Sequence, residues 1–131
     1  MKTYRDWILK ADHDLKIAKD EMKEREPVTD MVCFHCQQAV EKILKAFLIS
    51  KNKEVAKTHD LSFSINECIK IDIEFRELFD KEIDLMSVYA VEMRYPGDMY
   101  IPSLEEAKDA ISKAEYVKEF VMRKLEGEVY E

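Results

Sequence analysis

The chain carries very little that can stop a helix. Only Gly97 and Gly127, with Pro27, Pro96 and Pro102, interrupt 131 residues, and these are the residue types that break helical runs. A chain with so few breakers, 47% hydrophobic and 37% charged, is committed to long amphipathic helices around a core. Its length matches one domain, since domains commonly run to about 100–150 residues. The expectation is therefore an all-α, up-and-down four-helix bundle with an additional short helix. It should occupy residues 1–131 as one domain, with the core over 4–125 and a frayed tail at 126–131.

Apolar spacing places the helices. The first is predicted from Tyr4 to Arg25, capped by Thr3 with Asp6 in its first turn. Tyr4, Trp7, Ile8, Ala11, Leu15, Ala18 and Met22 form its inner face, and His13 lies on the solvent side. Pro27 ends it, and a second helix follows from Asp30 to Lys51. There Cys33, Cys36, Val40, Ile43, Leu44 and Phe47 share one face, and His35, Gln38, Lys42 and Lys45 form a polar stripe on another. Met31, Phe34, Ala39, Ala46 and Ile49 interleave with that stripe, so the helix is apolar almost all round and belongs at the centre.

A short third helix is predicted over His59–Ile71 and a fourth over Glu74–Met93. The fourth has a core stripe of Phe75, Leu78, Phe79, Leu85, Met86, Tyr89, Ala90 and Met93, with Glu82 inside the stripe. The turn RYPGDMYIP breaks the chain, and Ser103 with Glu106 matches a capping box for the last helix. Ala107, Ala110, Ile111, Ala114, Val117, Val121 and Leu125 line its inner face.

Composition narrows the function. A net charge of −7 counts against a bulk nucleic-acid binder and leaves room for a local basic pocket that reads one nucleotide. The N-terminus MKTYRDWILKADHDL lacks an apolar segment of signal-peptide length, and no apolar run reaches membrane-spanning length. With three cysteines in no secretory framework, the expectation is a cytoplasmic protein with reduced thiols.

Cys33-x-x-Cys36 with His35 between them invites a metal or redox reading. At about 100° per residue both thiols fall on the core face, and His35 points away from them. Cys68 alone supplies no second ligand pair. Core packing is therefore the expected role of the cysteines, with no metal and no cofactor. A phosphate-binding glycine loop is ruled out by the lack of glycine. Phosphate would have to be held by side chains such as Lys42, Lys45 and Arg94, or by a helix N-terminus. The remaining polar set is His35, Gln38, Lys42, His59, Asp60, Glu82, Arg94, Tyr95 and Asp98. It can be a binding site, or a structural network in which Lys42 or Arg94 neutralises Glu82 and Asp60 caps the third helix.

Three stretches resemble one family. WILKADHDLKIAKD resembles the first helix of HEPN domains. CFHCQQAVEKILKAFL followed by THDL is similar to the family's central segment, and the RYP turn stands where one prokaryotic branch has it. The resemblance implies the same bundle, usually as a homodimer, with a minimal nucleotidyltransferase partner in toxin–antitoxin-like or nucleotide-handling systems. Leu9, Ile17, Tyr116 and Phe120 are apolar residues outside the core stripes that such a dimer could cover. The resemblance also implies a metal-independent ribonuclease signature, in which an Arg is followed after four to six residues by a His.

Arg94 matches that arginine, but Met99, Tyr100 and Ile101 occupy the histidine's positions. The proton-transfer group would be missing, and a phenol with a pKa near 10 is a poor replacement. Two readings follow. In the first, the protein binds a nucleotide or nucleic-acid end without turnover and assists a nucleotidyltransferase, with Tyr95 or Tyr100 stacking a base. In the second, it is a ribonuclease toxin that uses Arg94 with His35 or His59 brought in from another helix.

Overall fold

The computed structural model describes residues 3–91 and 100–129 along the backbone, with side chains through Ala90 and again from Tyr100 to Glu126. Three long helices dominate: α1 (Tyr4–Met22), α2 (Thr29–Ser50) and, last in the chain, a helix over Leu104–Val129. Between them lie α3 (Leu61–Ile69), a 3-10 turn over Ile73–Arg76, α4 (Glu77–Asp80), a second 3-10 turn over Ile83–Ser87, and α5 (Val88–Val91). The last helix is therefore α6. There is no strand among the described residues.

The protein is a helical bundle with α2 at its centre, packed along both α1 and α6 and touched by α3 and α5. The predicted inner face of α2 is dry: Cys33, Cys36, Val40, Ile43, Leu44 and Phe47 are all buried. Phe47, Phe75 and Phe120 form an aromatic chain through the core, with ring centroids 4.5 and 5.0 Å apart. Phe120 is thus a core residue and not spare surface, and Tyr116 is half-buried with its hydroxyl donating to Glu77. Leu9 and Ile17 do face solvent.

Local chemistry accounts for the helix ends. Asp6 Oδ2 accepts the Thr3 N–H at 2.8 Å at the start of α1, and Ser103 Oγ accepts the Glu106 N–H at 3.0 Å at the start of α6. The end of α2 is a Schellman motif: Lys53 N–H reaches Leu48 O and Asn52 N–H reaches Ile49 O, both at 3.0 Å. Asn52 takes the left-handed conformation that this motif needs (φ 61°). Asp60 caps α3 by accepting from the Ser62 N–H at 3.0 Å.

The predicted fourth helix is where the structure departs from the sequence reading. Residues 73–91 form four short pieces, broken at Glu82, which is left-handed (φ 59°) and exposed. A continuous helix would carry Glu82 into the core stripe. Burying an unpaired carboxylate costs several kcal/mol, more than the roughly 1–3 kcal/mol of a non-glycine left-handed residue. The break expels Glu82 and brings Ile83 into the core instead. Ile83 and Met86, three residues apart on the 3-10 turn, are buried, and Tyr89 on α5 is buried after them. Leu85, predicted in the stripe, is exposed for the same reason. Met93 lies outside the described residues.

Candidate functional site

The polar stripe of α2 exists, and two buried carboxylates organise it. Asp14, on α1, points one oxygen at His35 and the other at Lys42: Oδ1 is 2.9 Å from His35 Nδ1, and Oδ2 accepts from Lys42 Nζ at 2.6 Å. Glu41, on α2, accepts from Lys45 Nζ at 3.2 Å and from Gln37 Nε2 at 3.3 Å, and its Oε1 lies 2.7 Å from His59 Nδ1. Gln37 is wholly buried, receives Gln38 Nε2–H at 2.7 Å and reaches the His59 carbonyl at 3.4 Å.

Each half places one histidine and one lysine on one carboxylate. Ionised carboxylates only accept hydrogen bonds, so Nδ1 carries the proton in both histidines. In the neutral ring that leaves Nε2 as the acceptor. Lys45 is further fixed by Trp7, its ammonium 5.7 Å from the centre of the indole ring. Trp7, Leu9, Asp6, Lys10 and Lys42 line a groove of about 660 Å³ along α1.

The structure divides the predicted set between two carboxylates, with His35 and Lys42 on Asp14 and with Lys45, His59 and (through Gln37) Gln38 on Glu41. It separates Glu82, which is exposed beyond the break and does not neutralise Lys42; that role belongs to Asp14. Asp60 serves as the α3 cap. Arg94, Tyr95 and Asp98 lie outside the described residues. Tyr100 is exposed, and its hydroxyl donates to Glu106, which also receives Tyr89 Oη–H at 2.6 Å. The hydrogen bond to Glu106 pushes the Tyr100 phenol above its ordinary range, still further from a group that titrates near neutrality.

Asp14, Glu41, Gln37 and Trp7 were not picked out from the sequence as site residues. The signal for Asp14 was its place in the 7–11–14–18 stripe of α1, where a carboxylate must be buried. For Glu41 it was the ladder Gln37, Glu41, Lys45 at spacings of four. The cysteines behave as packing residues. Cys33, Cys36 and Cys68 are free and buried, and burial pushes the Cys33 thiol up to about 12 and the other two higher still. A thiol so raised carries almost no thiolate near neutral pH. No cluster of three potential metal ligands occurs among the described residues, nor is any helix there long and apolar enough to cross a membrane.

Two solved structures share this architecture. TT1696 from Thermus thermophilus superimposes with a TM-score of 0.77 at 25% identity, over 95% of this chain and 99% of that one. ST0689, described as an archaeal HEPN homologue, gives 0.68 at 22% identity, over 95% and 98%. No curated protein matches the chain at a significant level. The HEPN domain model, however, matches residues 4–125, nearly the whole helical bundle with the α2 polar band inside it, and the chain accordingly belongs to the HEPN domain family.

Proposed function

We propose that this HEPN protein is a binding module that holds a nucleotide or a nucleic-acid end without turnover and assists a minimal nucleotidyltransferase partner. The observation that carries the reading is the α2 band. Lys42 is held in place by the buried carboxylate of Asp14 and keeps an exposed edge, so it meets a phosphate with little ordering cost. The sequence adds Arg94 as a further candidate for the phosphate, and Tyr95 or Tyr100 for a base.

A homodimer suits this reading. Met31, Ile101 and Leu104 are 41–61% exposed, and Thr29 Oγ–H donates to Pro102 O at 2.7 Å. That hydrogen bond joins the start of α2 to the approach to α6 and gathers these apolar side chains at one end of the bundle.

The ribonuclease alternative has one observation in its favour. His35 and His59 each have Nδ1 held by a carboxylate and Nε2 unused among the described residues, which is how a general base is oriented. One experiment separates the two. Equilibrium dialysis with adenosine monophosphate and with a 5′-phosphorylated RNA oligonucleotide should show retention, weakened by Arg94→Ala, with the RNA intact. RNA cleavage that disappears in His35→Ala or His59→Ala would replace this reading with the ribonuclease. Absence of any retention would remove it.

A further inference from the structure

We infer that the cavity between the end of α2, the loop after it and α3 seats one arginine side chain of a partner protein, its guanidinium taken by Phe63 and Glu54. The inference stands apart from the binding reading above, because it uses none of the groups offered there to a phosphate or a base.

The cavity measures about 230 Å³, below the roughly 300–1,000 Å³ usual for small-molecule sites. That is room for a side chain and little more. Leu48 from α2 and Val55 from the loop give it an apolar lining, and Phe63, Ser64 and Glu67 close it from α3. The loop is fixed at both ends, by Lys53 N–H on the Leu48 carbonyl at 3.0 Å and by His59 on Glu41 at 2.7 Å. Residues 54–56 are therefore a wall already in place, which lowers the ordering cost of binding.

Some of the lining charge is already answered. Lys45 borders the cavity but donates to Glu41 at 3.2 Å and lies over the Trp7 ring. Glu67 is bridged to Lys70 at 2.6 Å. Three groups remain. Glu54 is exposed and makes no ion pair among the described residues. Phe63 is 46% exposed, an aromatic ring left open to water. Ser64 is only 4% exposed, yet its hydroxyl makes no hydrogen bond among the described residues, and a polar group so placed is short of a partner.

One carboxylate, one ring and one hydroxyl around an apolar lining match a single side chain. Arginine brings an apolar stem, a cation that stacks on aromatic rings, and a planar fork whose N–H groups reach carboxylate and hydroxyl oxygens together. Lysine has neither the plane nor the fork. A chain of net charge −7 draws basic partners toward it, and arginine is among the residues that most often anchor protein interfaces.

The probe is a capped glycine–arginine–glycine peptide, titrated into the protein while backbone amides are followed by NMR. Saturable shifts are expected at residues 54–56 and at Phe63 and Ser64. The citrulline peptide, which keeps the shape and loses the charge, should bind about tenfold more weakly, and the lysine peptide severalfold more weakly. Glu54→Gln should weaken arginine binding about tenfold and Phe63→Ala about threefold. Both variants should keep the thermal unfolding curve in place, because both side chains are exposed. Equal binding of the lysine peptide, with shifts spread over the surface and indifferent to Glu54→Gln, would reveal bulk attraction to a negative protein and overturn the cavity. Equal binding of the citrulline peptide would overturn the recognition of charge. No saturable shift over residues 54–64 would overturn the inference outright.

Discussion

Asp14 and Glu41 solve the same problem in different places. Each is a buried carboxylate that holds one lysine and one histidine. Asp14 stitches two long helices together, because it sits on α1 and both of its partners are on α2. Glu41 works mainly within α2 and pins the approach to α3 through His59. Burial differs as well. Lys45, the cation on Glu41, is 10% exposed, whereas Lys42 on Asp14 is 25% exposed. The histidines run the other way: His35 is 23% exposed and His59 is 53% exposed. The better-buried lysine thus stands beside the more open histidine, which separates the structural share of each network from its accessible share.

The largest effect is expected from Glu41→Ala. It strands Lys45 in a nearly dry site, and losing one partner of a buried pair costs about 3 kcal/mol. Urea unfolding would show this as a lower midpoint at unchanged slope. Asp14→Ala should cost less, about 2 kcal/mol, because Lys42 can turn toward water. If Asp14→Ala proves the more damaging, the joining of α1 to α2 matters more than the burial of the lysine, and the comparison must be redrawn. The same unfolding series should give about 1 kcal/mol for His35→Ala. The smallest change belongs to His59→Ala, at most about 0.5 kcal/mol for so exposed a pair. Equal losses for the two histidines would show that exposure does not grade these contacts.

Much of this was legible before the structure. The stripe His35, Gln38, Lys42, Lys45 could be read from spacing alone, because positions on one helix face follow from the helix period. What answers that stripe could not. Asp14 meets it only because α1 crosses α2 at that height, and His59 reaches Glu41 only because the loop after Asn52 returns over the helix. Both depend on packing between distant segments. The pairing of Lys42 with Glu82 failed for the same reason. It assumed an unbroken helix, and the helix breaks at the residue whose burial would have been most costly.

The sequence by itself determined the three long helices, the capping residues at the starts of α1 and α6, the dry face of α2 and the buried setting of its thiols. These follow from short-range spacing and from capping chemistry, which act within a few residues. Tertiary structure alone decided that residues 73–91 turn sharply at Glu82, that Ile83 replaces it in the core, and which carboxylate holds which histidine. Those outcomes weigh burial costs against backbone strain across the whole bundle, and that balance exists only once the helices have packed.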